Sequence, residues 1–194
     1  MAHRRCGKTV ACINDLIRRA IKEGKSDGQY AYVAPYLSQS KNIAWSYLLK
    51  FAEPIIEKKN ESELWVMLIN GARIRLFGAD NAEALRGLFL DGIVLDEFAD
   101  MRPKVWSEII RPLLADRKGW CTFIGTPKGH NNFWEIYKRG EQEPNWYVKV
   151  LRASQTGLLD ADELADARKM MDENQYLQEF ECDFESAIVG AYYG

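Results

Sequence analysis

The sequence predicts an α/β fold in which helices cover a mostly parallel central sheet. Short apolar runs typical of buried strands alternate with longer segments of helical periodicity. In addition, three polar clusters each lie at the end of a segment predicted to be buried. Because the carboxyl ends of parallel strands meet at one crevice, we expect these clusters to form a common site.

Length and composition favour one soluble, intracellular, globular domain. A chain of 194 residues is long enough for a single sizeable core, and its apolar runs are all shorter than a membrane span. The formal charge of −2 provides no global basic field of the kind that attracts nucleic acid. The cysteines are scattered, which makes a zinc site or a disulfide framework unexpected; they are Cys6, Cys12, Cys121 and Cys182.

The first elements follow from periodicity and from residues that end helices or strands. Residues 8–23 predict a helix because their apolar positions recur at helical spacing, and Gly24 is the expected C-cap. A short buried strand then runs from Tyr30 to Ala34 and ends at Pro35. Ser38 is placed to cap a second helix, whose predicted common face consists of Ala44, Tyr47, Leu48 and Phe51.

The middle of the chain predicts a hairpin and a fully buried strand. Residues 64–69 and 73–77 flank Asn70-Gly71-Ala72, a strong hairpin signal. Ile93-Val94-Leu95 is a continuous apolar run typical of a strand buried on both faces, and it ends in Asp96-Glu97. The other predicted elements are a short helix at 81–85, a helix opened by Pro103, a buried strand at 120–124, a helix at 133–137, a strand at 146–151, a helix capped by Asp160 with Glu163, and a helix at 176–180.

The stretch Ala2–Thr9, with the sequence A-H-R-R-C-G-K-T, fits the phosphate-binding pattern G-x-x-x-x-G-K-[ST] except for alanine at its first position. Such a loop runs into a helix N-terminus, where backbone N–H groups and the helix dipole favour an anion. Lys8 is expected to reach the β- and γ-phosphates of ATP, and Thr9 to offer its hydroxyl to Mg²⁺. The residues predicted to bind the nucleotide here are Arg5, Cys6, Gly7, Lys8 and Thr9.

Asp96-Glu97 supplies the carboxylates that phosphoryl transfer to water requires. This reaction needs a metal, neutralised charge and a residue that orients the nucleophile. We expect Thr9 and Asp96 to hold Mg²⁺, Asp96 also to belong to the ATP site, and Glu97 to orient and activate the attacking water. Either Arg4 or Arg5 is suited to stabilising charge on the γ-phosphate. The predicted catalytic residues are therefore Glu97, Arg4 and Lys8, with Arg5 as the alternative arginine.

Each cluster also has a purely structural explanation. An Asp-Glu pair after an apolar run is often only a solvated strand end, and Gly125-Thr126-Pro127 is an ordinary turn. Arg4 and Arg5 fit solvated loop charges, while His3 and His130 are expected at the surface. The functional interpretation depends on the conjunction, since three independent clusters occur in the order and context that one site needs.

With these residues in view, the chain resembles the ATPase domain of the large terminase subunit of tailed bacteriophages, the DNA-packaging motor. The resemblance implies a three-layer P-loop NTPase of the ASCE (RecA-like) type with a mostly parallel central sheet. It covers nearly the whole chain and is carried by Ala2–Thr9, Ala31–Pro35, Gln39–Lys41, Leu85–Gly87, Ile93–Glu97, Gly125–Gly129, Asn132-Phe133, Gln178–Phe180 and Cys182–Phe184.

The resemblance also implies roles and partners. Lys8 and Thr9 would contact phosphate and Mg²⁺, Asp96 would hold the metal, and Glu97 would be the catalytic carboxylate. Arg4 matches the loop arginine proposed to trigger hydrolysis. The implied coupling residues, which link hydrolysis to DNA movement, are Gly125, Thr126 and Pro127. The implied partners are double-stranded DNA, a portal protein, a small terminase subunit and further copies in a ring, in the cytoplasm of an infected or lysogenic bacterial host.

The match with the family also leads us to expect missing parts. The family's adenine-contacting segment and first strand precede the loop, and its nuclease carboxylates follow the ATPase domain, so we expect both outside this sequence. Residues 1–183 are predicted to be the ATPase domain, and residues 184–194 a linker or the start of a nuclease domain, without nuclease activity in this chain. A helicase-type ATPase, and a truncated or prophage-derived remnant that binds nucleotide or partners without turnover, are the alternatives.

Overall fold

The computed structural model describes residues 1–23 and 25–186, which form two compact units. The larger unit is Thr9–Phe123, and the smaller one is Met1–Lys8 together with the chain from Ile124 onward. Gly24, the predicted helix cap, and residues 187–194, part of the predicted linker, lie outside the described residues. Within the described ranges, no helix combines the length and the apolar character that crossing a membrane requires.

The larger unit is built on a six-stranded mixed sheet with the spatial order β2-β3-β4-β1-β5-β6. The strands are β1 (Gln29–Ala34), β2 (Ile56–Asn60), β3 (Trp65–Leu68), β4 (Arg73–Gly78), β5 (Gly92–Leu95) and β6 (Trp120–Phe123). β1 pairs in parallel with β4 and β5, and β5 pairs in parallel with β6. β3 pairs antiparallel with both β2 and β4. The predicted α/β architecture with a mostly parallel sheet is thus confirmed.

The centre of this unit matches the apolar patterns of the sequence. All four residues of β5 are buried, as the continuous apolar run predicts. Helix α1 (Lys8–Lys22) confirms the predicted first helix and buries one face consisting of Ile13, Leu16, Ile17 and Ala20. The predicted hairpin is present between β3 and β4, where Gly71 adopts a φ of 85°, which glycine tolerates without strain.

The helical stretch after β1 differs from the prediction at its start. It consists of α2 (Leu37–Gln39), a π-helical turn (Ser40–Ala44) and α3 (Trp45–Ala52). Ser38 lies inside α2, whose N-cap is Tyr36, so the prediction that Ser38 caps the helix is wrong. Ser40, fully buried, donates its hydroxyl to the carbonyl oxygen of Phe77 at 2.7 Å, and this contact with β4 holds the helical turn against the sheet.

The remaining part of this unit contains short helical segments and the outermost strand. Residues Ala79–Leu85 form a 3₁₀ helix, and the helix predicted from Pro103 is a π-helical turn, Val105–Ile110, followed by α4 (Arg111–Leu113). β6 lies at the end of the strand order, and all four of its residues are partly exposed. The prediction of a buried strand is therefore wrong in its burial, because an outermost strand is covered less than a central one.

The smaller unit is helical. Its helices are α5 (Asn132–Gln142), α6 (Ala153–Thr156), α7 (Ala161–Met170) and α8 (Glu173–Glu181). The Asn131 side chain caps α5 by accepting from the N–H of Phe133 at 3.0 Å. The core formed by α6, α7 and α8 consists of Ala153, Tyr176 and Phe180, with Leu159, Leu164, Ala167, Met171 and Leu177 packed against them.

Two predictions for this unit are wrong. Asp160 occupies the N-cap of α7, but its side chain makes no capping hydrogen bond, and Glu163 instead pairs with Arg5. Residues 146–151 do not form a strand; Leu151 alone makes an isolated parallel bridge, with Ala2. A strand needs a neighbour along its length, and the backbone bonds given for this segment join only its last residues to residues 1–3.

A buried carboxylate joins the amino ends of β1 and β5. Asp91 is 2% exposed and accepts hydrogen bonds from the N–H of Gln29 at 2.9 Å, from Arg117 at 3.1 Å and from the ammonium of Lys25. Arg117 also donates to the exposed carboxylate of Asp27 at 2.8 Å. The hydrogen bond and charge of Arg117 hold the pKa of Asp27 below its usual 3.8.

Replacing Asp91 with asparagine is expected to lower the free energy of unfolding by about 1–3 kcal/mol, because two cations lose a charged acceptor. Urea denaturation measures this change. Asp27→Asn removes the exposed partner of the same arginine and is expected to change the stability much less. Because the pKa of Asp27 is lowered on folding, its contribution is present above pH 3.8 and is lost as the pH falls below that value. Equal losses for the two variants at neutral pH would contradict the central role of Asp91.

Candidate functional site

The loop before α1 has the backbone geometry of an anion site. Arg5 and Gly7 adopt left-handed conformations with φ of 62° and 76°, which bend the chain so that successive N–H groups line a concavity. A side chain at Gly7 would meet no atom within 4 Å, so its positive φ, and not crowding, favours glycine there. The first turn of α1 contains no acidic residue, which leaves the positive end of the helix dipole available to an anion.

His3 is fully buried, which contradicts the expectation of a surface residue. Its Nδ1 lies 2.7 Å from the carbonyl oxygen of Arg4, and its Nε2 lies 2.9 Å from Oγ1 of Thr156 in α6. Because a carbonyl only accepts, Nδ1 carries the proton and Nε2 accepts from the threonine hydroxyl. His3 therefore fixes the backbone of the loop against α6. His130, in contrast, is exposed as expected.

Both loop arginines contact acidic residues of the helical unit. The N–H of Arg4 donates to the carbonyl oxygen of Glu179 in α8 at 2.9 Å, and its guanidinium lies 3.9 Å from the carboxylate of the same residue. Arg5 pairs with Glu163 in α7 at 3.1 Å. The arginine side chains are 59% and 71% exposed, and exposed ion pairs contribute little to stability. Either guanidinium can exchange its carboxylate for a phosphate at small cost.

The loop also contacts the third predicted cluster. The N–H of Ala2 donates to the carbonyl oxygen of Gly125 at 3.4 Å. Gly125, Thr126 and Pro127 are buried, with Thr126 5% exposed. The smaller unit thus brings the start of the loop to Gly125, while the coupling role of these three residues remains a prediction.

The larger unit brings Thr9 and Asp96 together. The hydroxyl of Thr9, on the first turn of α1, donates to Oδ2 of Asp96 at 2.9 Å. The other oxygen, Oδ1, accepts the N–H of Glu97 at 2.9 Å. Asp96 is only 5% exposed, so these hydrogen bonds offset part of the cost of burying its charge.

Glu97 is held in an uncommon backbone conformation. Its φ and ψ are 49° and 48°, a left-handed geometry that costs non-glycine residues about 1–3 kcal/mol and recurs at functional sites. The fully buried ring of Phe98 anchors the turn by packing edge-on against Phe123, with ring centroids 4.9 Å apart. The half-buried Glu97 side chain is therefore presented from a turn fixed on both sides.

Tyr32 is a member of this cluster that the sequence reasoning missed. It lies in β1, is 2% exposed, and donates its hydroxyl to Oδ2 of Asp96. Burial and the negative charge of Asp96 raise the pKa of this hydroxyl well above its ordinary value, so that it remains a donor. A signal was present, since a tyrosine inside a predicted buried strand needs a hydrogen-bond partner.

The donor atoms of this cluster fit a magnesium ion. Thr9 and Asp96 offer oxygen atoms, which Mg²⁺ prefers, and a single carboxylate suits an ion that keeps several waters and binds substrate phosphates. Within residues 1–23 and 25–186, no group of three or more histidine, cysteine, aspartate or glutamate side chains could hold a metal. This composition differs from that of a zinc or calcium cage.

Known sequences similar to this chain come from one family. The family described as "Terminase large subunit, T4likevirus-type, N-terminal" matches residues 1–181. The terminase large subunit of Escherichia phage T5 is 31% identical over 159 residues, which cover 78% of this chain and 36% of that protein. The terminase large subunit of Thermus phage G20c is 48% identical over 62 residues, covering 32% of this chain and 13% of that protein. The chain thus spans about a third of the length of the T5 relative.

Solved structures share the fold. The large terminase ATPase domain of Thermus phage P74-26 has a TM-score of 0.79 at 23% identity, with 94% of this chain and 86% of that chain covered. The large terminase of another thermophilic bacteriophage, solved in complex with ATP-gamma-S, has a TM-score of 0.77 at 14% identity, covering 94% and 46%. These similarities confirm the predicted P-loop NTPase type of fold.

Replacing Thr156 with valine is expected to lower Tm by about 2–6 °C, because Nε2 of the buried His3 loses its hydrogen-bond donor. Differential scanning calorimetry measures the change. Ser154→Ala is the matched control, since it removes another hydroxyl of α6, which bonds to Glu181 at the exposed surface. A Tm for Thr156→Val as high as that of the control would show that His3 does not depend on this bond.

Proposed function

Because the chain belongs to the N-terminal family of terminase large subunits, we propose that it is the ATP-hydrolysing part of a motor that moves double-stranded viral DNA into a procapsid. The observation that carries this proposal is the hydrogen bond of 2.9 Å between Thr9, at the start of α1, and the buried Asp96. It joins the end of the phosphate-binding pattern to the carboxylate that follows β5. The ATP-gamma-S complex of the thermophilic phage terminase supports ATP as the nucleotide.

Each polar residue has a role in the proposed hydrolysis. The N–H groups of the loop and the ammonium of Lys8 bind the phosphates. Thr9 and Asp96 hold Mg²⁺, which neutralises charge on the phosphate oxygens when it is bound. Glu97 orients the attacking water and accepts its proton. The left-handed turn that presents Glu97 supports this assignment, since backbone strain of this kind is concentrated at functional sites.

The loop arginines and the buried turn complete the proposal. Arg4 stabilises the charge that develops on the γ-phosphate, with Arg5 as the alternative, because both contact carboxylates that a phosphate can replace. Gly125, Thr126 and Pro127 transmit hydrolysis to the movement of DNA. The hydrogen bond from Ala2 to Gly125 supports this link, because it connects the turn to the start of the loop.

The antiparallel part of the sheet offers a surface suited to DNA phosphates. Arg73 and Arg75 alternate along β4 with buried apolar residues, so both lie on the half-exposed face of the strand. Arg73 stacks on Trp65 at 4.4 Å, and Arg75 lies over Phe77 at 5.0 Å. Lys58 of β2 pairs in register with Met67 of β3 and is exposed. Arginines held by aromatic rings are well positioned for phosphate contacts.

The remaining partners rest on the resemblance. We propose that copies of the whole protein form a ring on a portal protein and receive DNA from a small terminase subunit, in the cytoplasm of an infected or lysogenic bacterial host. These partners concern the whole protein, of which the chain matches a part.

Glu97→Gln is expected to lower the rate of ATP hydrolysis at least about 100-fold with little change in Mg–ATP affinity, because the amide cannot accept the proton of water. Phosphate release, with and without double-stranded DNA, and titration calorimetry measure the two quantities. Glu108→Gln makes the same change at an exposed residue of the larger unit and serves as the control. Lys8→Ala is expected to weaken nucleotide binding.

Full activity in Lys8→Ala would contradict the phosphate-binding role of that lysine. A wild-type chain that binds Mg–ATP without hydrolysing it would favour the non-catalytic remnant instead.

Arg73→Ala combined with Arg75→Ala is expected to weaken binding to duplex DNA and to reduce the slope of log K against log salt by about 2, since two phosphate contacts are lost. Fluorescence anisotropy over a range of salt concentrations measures the slope. The control is Arg18→Ala combined with Lys22→Ala, which removes the same charge from exposed positions on α1. Identical slopes for the two double variants would contradict the proposed DNA surface.

A further inference from the structure

Tyr32 shares an acceptor atom with Thr9. Both hydroxyls donate to Oδ2 of Asp96, while Oδ1 accepts the N–H of Glu97. Tyr32 pairs in register with Val94, two residues before Asp96 on the neighbouring parallel strand. Since side chains two residues apart lie on the same face of a strand, the ring of Tyr32 extends along that face to the carboxylate.

We propose that Tyr32 is a positioning residue that presets the carboxylate of Asp96 for the magnesium–nucleotide complex. The proposal rests on the function proposed above, because it concerns the same metal-binding pair. Asp96 can rotate about its side-chain bonds, and a hydrogen bond on each oxygen fixes that rotation. Tyr32 keeps Oδ2 in place when the hydroxyl of Thr9 turns its oxygen toward a metal. Groups that hydrogen-bond to a ligand in this way commonly change metal affinity by about 10–100-fold.

The strand contains its own control for the loss of a tyrosine hydroxyl. Tyr30 lies two residues earlier on β1, is also 2% exposed, and donates its hydroxyl to Glu23 at 2.8 Å. Tyr30→Phe and Tyr32→Phe therefore each remove one hydrogen bond between a buried tyrosine and a carboxylate. Only the second variant changes a contact of Asp96.

Titration calorimetry with ADP, in the presence of Mg²⁺ and in the presence of EDTA, tests the proposal without relying on turnover. Tyr32→Phe is expected to weaken ADP binding about 10-fold with Mg²⁺ and to leave binding in EDTA unchanged. Tyr30→Phe is expected to match the wild-type chain in both conditions. An unchanged Mg²⁺ dependence in Tyr32→Phe would overturn the proposal, as would equal weakening with and without the metal.

A second measurement separates this proposal from the proposed function. A wild-type chain that does not bind ADP would contradict the function, and the bond to Asp96 is then judged by thermal unfolding of Tyr32→Phe, Asp96→Ala and the double variant. Tyr32→Phe is expected to lower Tm by about 2–4 °C in the wild-type background and by less than about 1 °C in Asp96→Ala. Equal losses in both backgrounds would overturn the proposal. Asp96→Ser provides the background if Asp96→Ala does not fold.

Discussion

The buried carboxylate of Asp96 is the constraint on which the polar end of the larger unit depends. A buried charge is costly unless its oxygens find donors, and the donors come from three elements. Thr9 belongs to α1, Tyr32 to β1, and the N–H of Glu97 to the turn after β5. Satisfying one carboxylate therefore aligns a helix, a strand and a turn. The residues proposed to handle nucleotide are also part of what orders the fold.

The elements that could be predicted are those whose pattern is local. The helical spacing of α1, the apolar run of β5 and the turn at Gly71 each contain their own signal, and all three agree with the structure. The errors arose where a distant residue decides the outcome. Ser38 was a reasonable cap, but the helix begins one residue earlier, and the bond of Ser40 to β4 holds the next turn. Residues 146–151 have strand-forming side chains, yet a strand requires a partner that sequence alone does not supply.

The candidate site divides in the same way. Lys8, Thr9 and Asp96 could be predicted, because their residue types and spacing are dictated by phosphate and metal chemistry. His3 and Tyr32 could not be assigned roles, since their partners lie 153 and 64 residues away along the chain. Glu97 was predicted for its carboxylate alone. Its left-handed backbone has no signature in the sequence, because the conformation is imposed by the packing of its neighbours on a residue that does not prefer it.

The two ends of β5 show how one strand keeps two buried carboxylates distinct. Asp91, before the strand, is matched by the cations Lys25 and Arg117, so its charge is cancelled within the protein. Asp96, after the strand, receives its hydrogen bonds from two hydroxyls and an amide, which satisfy its lone pairs but leave its negative charge in place. A divalent cation that approaches this strand is therefore attracted to one end and not to the other. Cation selectivity along the strand follows from whether the donors are charged or neutral.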